Sequence, residues 1–152
     1  NEVLLTARVK SSLIYIEIKA ENMPLAVLDT SEAVFQKNTL RLSLRKVVIH
    51  RVIGESRGAT GPPSAWVSRM ADGTCNVEMQ ERGTEAGSVA FRVHTNSAHD
   101  GSDCAIETIL DANGQVVARG ETAGSSENAL WVKEGCDMAF LTCVAIAVYK
   151  LA

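Results

Sequence analysis

Apolar and polar residues alternate along most of this chain. In Leu13-Ile-Tyr-Ile-Glu-Ile-Lys19, Ile14, Ile16 and Ile18 share one face, which is the period of a strand. Glu21-Asn-Met-Pro24 punctuates that run. Leu25-Ala-Val-Leu28 predicts a second strand, ending at Asp29-Thr30-Ser31, and residues 33–36 predict a short third. From 39 to 52 the pattern is longer. Leu40, Leu42 and Leu44 form one face with Arg41 and Arg45 opposite, and beyond Lys46 the apolar face passes to Val47 and Ile49. A one-residue slip turns every side chain over, so a bulge or tight turn is expected near Arg45-Lys46. Residues 53–64, with Gly54, Gly58, Gly61, Pro62 and Pro63, predict a loop.

Strand periodicity resumes over 65–70 and turns at Asp72-Gly73. Cys75, Val77 and Met79 then make one face, and Val89, Phe91 and Val93 another. Residues 94–102 are polar and predict a loop. Asp111-Ala-Asn-Gly114 between apolar runs at 104–110 and 115–119 is a hairpin signal, because Asn-Gly tolerates positive φ. Residues 120–128 predict a polar loop and 129–133 a last strand. The stretch from Met138 to Tyr149 breaks the pattern: it carries no charge and is apolar on every side. A helix of that kind is expected to be buried all round. Asp137 stands where its N-cap belongs and Gly135 permits the turn before it. A helix over 137–149 is roughly 20 Å long, short of the ~20 apolar residues a membrane span needs. Nine or ten short strands and one apolar helix predict a mainly β fold: a closed antiparallel barrel around a buried C-terminal helix, in one domain over 1–152.

Composition narrows the function more than it names one. The chain has 152 residues, is 46% hydrophobic and 22% charged, and carries a net charge of −3. That balance gives no overall drive toward nucleic acid, so none is expected as a partner. Cys75, Cys104, Cys136 and Cys143 lack the paired local spacing of a zinc site. Cys75 and Cys104 fall on core faces and Cys136 and Cys143 in the apolar helical run, which favours buried free thiols in a reducing compartment. No signal peptide opens the chain. Its start at Asn1 is read as that of a trimmed chain, and an intracellular, cytoplasmic location is expected.

Candidate chemistry is sparse. His94 and His99 flank a loop with Asp100 and Asp103, but the spacing is not that of a calcium loop, and a solvated loop is the expectation. No G-x-S-x-G elbow or Gly-rich phosphate loop occurs, so no catalytic residue, cofactor or metal is assigned. Trp66 and Trp131 are expected in the core or at the barrel rim. One cluster survives: Arg41, Arg45, Lys46, His50 and Arg51, with Arg57 just beyond. Each basic residue beside an anionic leaflet is worth about 1 kcal/mol, so this run suits docking on anionic phospholipid. The same run also suits a solvated face that blunts a sheet edge.

Three stretches carry a family resemblance. Asp103-Cys-Ala-Ile-Glu-Thr-Ile-Leu-Asp-Ala-Asn-Gly-Gln-Val-Val-Ala-Arg119 resembles the penultimate hairpin of the LURP-one-related proteins, members of the tubby C-terminal-like superfamily with the phospholipid scramblases. Leu130-Trp-Val-Lys-Glu-Gly-Cys-Asp-Met-Ala-Phe-Leu-Thr-Cys-Val-Ala-Ile-Ala-Val148 is similar to the family's last strand, Gly-x-Asp turn and barrel-threading helix. Leu25-Ala-Val-Leu-Asp-Thr30 with Leu40-Arg-Leu-Ser-Leu-Arg45 resembles its middle section. The likeness runs from Leu25 to Val148. Family barrels have more strands, and the acidic residue common beyond their last helix has no counterpart here. The resemblance implies a tubby-like barrel and a non-catalytic binding or adaptor module, peripheral at the membrane, that docks on phosphoinositide head groups or a protein partner. A barrel holding a small hydrophobic ligand, or an enzyme without a recognisable motif, are the other classes left open.

Overall fold

Period-two alternation builds ten strands, and the one run without it builds the helix. The structure is a computed structural model and describes residues 5–18, 23–31, 45–52, 60–80, 88–96, 105–123 and 127–151. The strands are β1 (Leu5–Lys10), β2 (Leu13–Ile18), β3 (Met23–Asp29), β4 (Lys46–Val52), β5 (Thr60–Arg69), β6 (Cys75–Met79), β7 (Ser88–Asn96), β8 (Ala105–Asp111), β9 (Val116–Ala123) and β10 (Glu127–Val132), followed by α1 (Met138–Leu151). They form one antiparallel sheet in sequence order, β1 to β10. The expected strand over 33–36, the Leu40–Leu42–Leu44 face and Cys104 lie outside the described residues.

The buried side of the sheet runs across eight strands. Ile14 and Ile16 on β2, Leu28 on β3, Val47 on β4, Val67 on β5, Val77 on β6, Val93 on β7, Ile109 on β8 and Ala118 on β9 are all inward and all buried. Laid flat, those eight strands are about 34 Å wide at 4.8 Å per strand. A helix with its side chains is only about 10–12 Å across. α1 packs against β3, β4, β5, β8 and β10, strands from both halves of the sheet.

The helix starts as its sequence predicts. Gly135 turns the chain with φ +86°. The Asp137 carboxylate accepts from the Phe140 N–H at 3.0 Å, and its carbonyl accepts from the Leu141 N–H at 3.0 Å. At the other end the Arg69 guanidinium donates to the Leu151 carbonyl at 2.9 Å, placing a cation at the negative pole of the helix dipole. The helix is not buried all round. Leu141, Cys143, Val144, Ala145, Ala147, Val148 and Leu151 are buried and cover an arc of about 200° at 3.6 residues per turn. Thr142, Ile146 and Tyr149 on the remaining side are half-buried, and Met138 is 56% exposed. Among the described residues no helix is long and apolar enough to cross a membrane.

Polar composition misled the sequence reading in three loops. Residues 60–64 belong to β5 although they include Pro62 and Pro63; the β4–β5 ladder is irregular on both sides of His50, opposite Pro63, where a strand can hold proline. His94, Thr95 and Asn96 belong to β7, and residues 120–123, 127 and 128 to β9 and β10. Val89 does not share a face with Phe91. The β6–β7 register shifts beyond Val77, pairing Val77 with Phe91 but Glu78 with Val89, so Val89 turns outward and is 40% exposed.

Candidate functional site

The basic run on β4 divides between directions. Val47 and Ile49 point inward and are buried, so Lys46 and His50 stand on the outer face with Val48 between them. Four residues of strand separate the two by about 13 Å. Arg45 precedes the strand, and its carbonyl accepts the Arg69 N–H at 3.1 Å. Arg51 pairs opposite the buried Ala26 and is exposed; its N–H donates to the Ser64 hydroxyl at 3.1 Å. The irregular ladder around His50 takes it out of line with Lys46. Arg41 and Arg57 lie outside the described residues.

The sheet supplies Lys46 with different company. In successive ladders Lys46 lies opposite Ser68, Ser68 opposite Asn76, and Asn76 opposite Arg92. Each has an inward, buried neighbour in its strand, so the four form one row across the outer face of β4–β7. Lys46 and Arg92 stand three strand spacings apart, about 14 Å. The Asn76 side-chain oxygen is buried and has no hydrogen-bond partner. An amide oxygen left that way costs about 1–3 kcal/mol. Trp66 is diagonal to both Lys46 and Asn76 and lies opposite Glu78.

Arg92 also borders an open pocket of about 270 Å³, lined by Val89, Ala90, Phe91, Leu110 and Asp111 among others. The acidic groups around it are engaged. Asp111 accepts from the N–H groups of Asn113 and Gln115, both at 2.9 Å. The Thr74 hydroxyl and N–H hold the Asp72 carboxyl below the usual carboxylate range, and Arg92 acts in the same direction. Sequence reasoning missed Ser68, Asn76 and Arg92. Arg92 is a lone cation in β7, and only the ladder register brings it into line with Lys46.

The remaining candidates separate cleanly. His94 lies in β7, whereas His99, Asp100 and Asp103 lie outside the described residues. Trp66 is half-buried, but Trp131 is 67% exposed on β10, its indole N–H donating to Glu121 at 2.7 Å, and is outside the core. Among the described cysteines, Cys136 sits in the turn before α1 and is only half-buried, whereas Cys75 and Cys143 are in the core. Burial pushes the Cys143 thiol up to about 11 from 9.0, with the Asp137 charge adding to the shift. Its neutral form is held in the fold and ionises more readily in the unfolded chain. Stability is therefore unaffected below about pH 8.5 and falls as pH rises from there through about 11. Two pH units correspond to roughly 2–3 kcal/mol. Urea titrations across that range are expected to show this extra loss in the wild type and not in Cys143→Ala.

No family model, curated protein or solved structure matches the chain.

Proposed function

We propose that the chain is a non-catalytic, LURP-one-like binding module of tubby-like architecture, whose sheet closes as a barrel about α1 and whose outer face receives the head group of an anionic phospholipid. The buried residues shared by β2 to β9 with α1 and the Gly135–Asp137 entry to α1 support the architecture. Because α1 fills the interior, a ligand meets the outer face rather than a lumen. The row Lys46–Ser68–Asn76–Arg92 carries the functional reading. Two cations suit phosphate oxygens, and between them a hydroxyl and an unpaired amide oxygen suit the hydroxyls of a sugar or inositol ring. The pocket beside Arg92 is of head-group size, below the range of drug-sized sites. A reducing compartment, as expected from the cysteine spacing, is compatible with a module that works at the cytoplasmic leaflet.

Liposome flotation at low salt tests this reading. Wild type is expected to float with phosphoinositide vesicles and to stay with the soluble fraction when vesicles are pure phosphatidylcholine. Each cation is worth about 1 kcal/mol at an anionic surface, so Lys46→Ala with Arg92→Ala should weaken binding roughly 30-fold. Arg8→Ala, an exposed cation outside the row, should leave it nearly unchanged. Indifference of the wild type to anionic vesicles at low salt, where attraction is strongest, would sink the proposal.

A further inference from the structure

The Lys46–Arg92 row ends at β7, and β10 lies three strands further along the sheet, about 14 Å away. Trp131 on β10 is opposite Arg119 on β9, and Val132 is opposite Ala118. The Lys133 N–H donates to the Val117 carbonyl at 2.8 Å, so the ladder continues one step past the end of β10. Ala118 is 2% exposed and faces inward. Alternation therefore sets Arg119, Trp131 and Lys133 together on the outer face, where all three are exposed. An open pocket of about 250 Å³ lies among them, lined also by Val116, Val117 and Val132. The β8–β9 register passes from Ile109–Ala118 to Leu110–Val116 and skips Val117; a bulge of this kind re-aims the side chains beside it.

We propose that this recess binds a small ligand carrying a planar ring and an anionic group, the ring stacked on Trp131 and the acid between Arg119 and Lys133. Trp131 is 67% exposed, yet its indole N–H donates to the Glu121 carboxylate at 2.7 Å, which limits its rotation. The same bond engages the acid that shares this face with the two cations. An indole held in water stacks on planar rings of many kinds, and cations beside it select those that carry negative charge. The spacing suits one molecule that does both. Arg119 is the cross-strand neighbour of Trp131, about 5 Å away at Cβ, and Lys133 is two residues along the chain, about 7 Å away. Both long side chains reach an acid group joined to a ring resting on Trp131. A bare anion would leave Trp131 and the valines unused, and an uncharged ring would leave both cations unused. The site stands apart from the head-group reading and does not depend on it.

Two probes separate the sources of that chemistry: adenosine monophosphate, whose ring is a nucleobase, and phenyl phosphate, whose acid is joined directly to the ring. NMR of the Trp131 indole N–H, in the full chain carrying Trp66→Phe, reads both. At least one probe is expected to shift that resonance saturably, and at least tenfold more tightly than adenosine or inorganic phosphate alone. The tighter of the two names the source. In calorimetry Trp131→Ala should weaken that probe about tenfold or more, and Trp131→Phe should retain most of the affinity. Arg119→Gln with Lys133→Gln should also weaken it about tenfold or more. Lys46→Ala with Arg92→Ala should leave it unchanged, which keeps this site distinct from the head-group row. Arg119, Trp131 and Lys133 are exposed, so the unfolding transition should stay in place in their variants. Saturation by neither probe, equal binding of inorganic phosphate, or an affinity that Trp131→Ala does not alter each overturns the proposal.

Discussion

Gly120→Ala is expected to destabilise the domain by about 3 kcal/mol, the upper part of the range for overpacked positions. The reason is a single close approach. A Cβ placed at Gly120 runs into the carbonyl of Ile106, a main-chain group of β8 rather than the free end of a side chain. Ile106 is itself buried in the core and sits on a strand paired on both sides, so the carbonyl has little room to retreat. Gly114 gives the contrast: it has φ +80°, but nothing stands within 4 Å of its Cβ position. Gly114→Ala should cost only the backbone strain of a left-handed alanine, about 1 kcal/mol. Urea unfolding at constant m-value distinguishes the two. A 3 kcal/mol loss also lowers the melting temperature of a chain this size by roughly 10 °C. Equal small effects at both positions would show that the β8–β9 approach is looser than described.

The composition around Gly120 shows where sequence reading succeeds and where it stops. Long alternating runs and the uncharged run after Asp137 were legible because periodicity is a local property, fixed by which residues can face a core. The helix cap was equally local, with Gly135 and Asp137 doing what their side chains favour anywhere. Gly120 itself was read as a loop residue, since glycine next to Glu121 and Thr122 looks like punctuation; its place in β9 depends on Ile106, fourteen positions away. The candidate site fared worse for the same reason. Lys46 was legible as part of a basic run, but its row with Ser68, Asn76 and Arg92 is set by three ladder registers. The β4–β5 and β6–β7 registers contain shifts, and no local pattern announces where a bulge falls. Val89 makes the point in miniature: one skipped pairing moved it from the expected inner face to the outer one.

Leu141→Ala is expected to cost roughly 3–5 kcal/mol, where Met138→Ala, one turn earlier and largely exposed, costs less than about 0.5 kcal/mol. Leu141 is 1% exposed and belongs to the core cluster with the inward residues of β2 to β9. A helix lying on the outside of a flat sheet could tilt to fill the space that the missing side chain leaves. α1 touches strands from both halves of the sheet, so moving toward one opens a gap at another; it is also held at both ends, by the Asp137 cap and by Arg69 on the Leu151 carbonyl. The cavity should therefore persist, and the cost should lie high in the leucine-to-alanine range. The same geometry predicts where the damage spreads. α1 touches β3, β4, β5, β8 and β10, so native-state hydrogen exchange in Leu141→Ala should quicken in all five rather than in one neighbour. Loosening confined to a single strand, with a cost near 1 kcal/mol, would place the helix against one flank of the sheet and remove the physical basis for a barrel built around it.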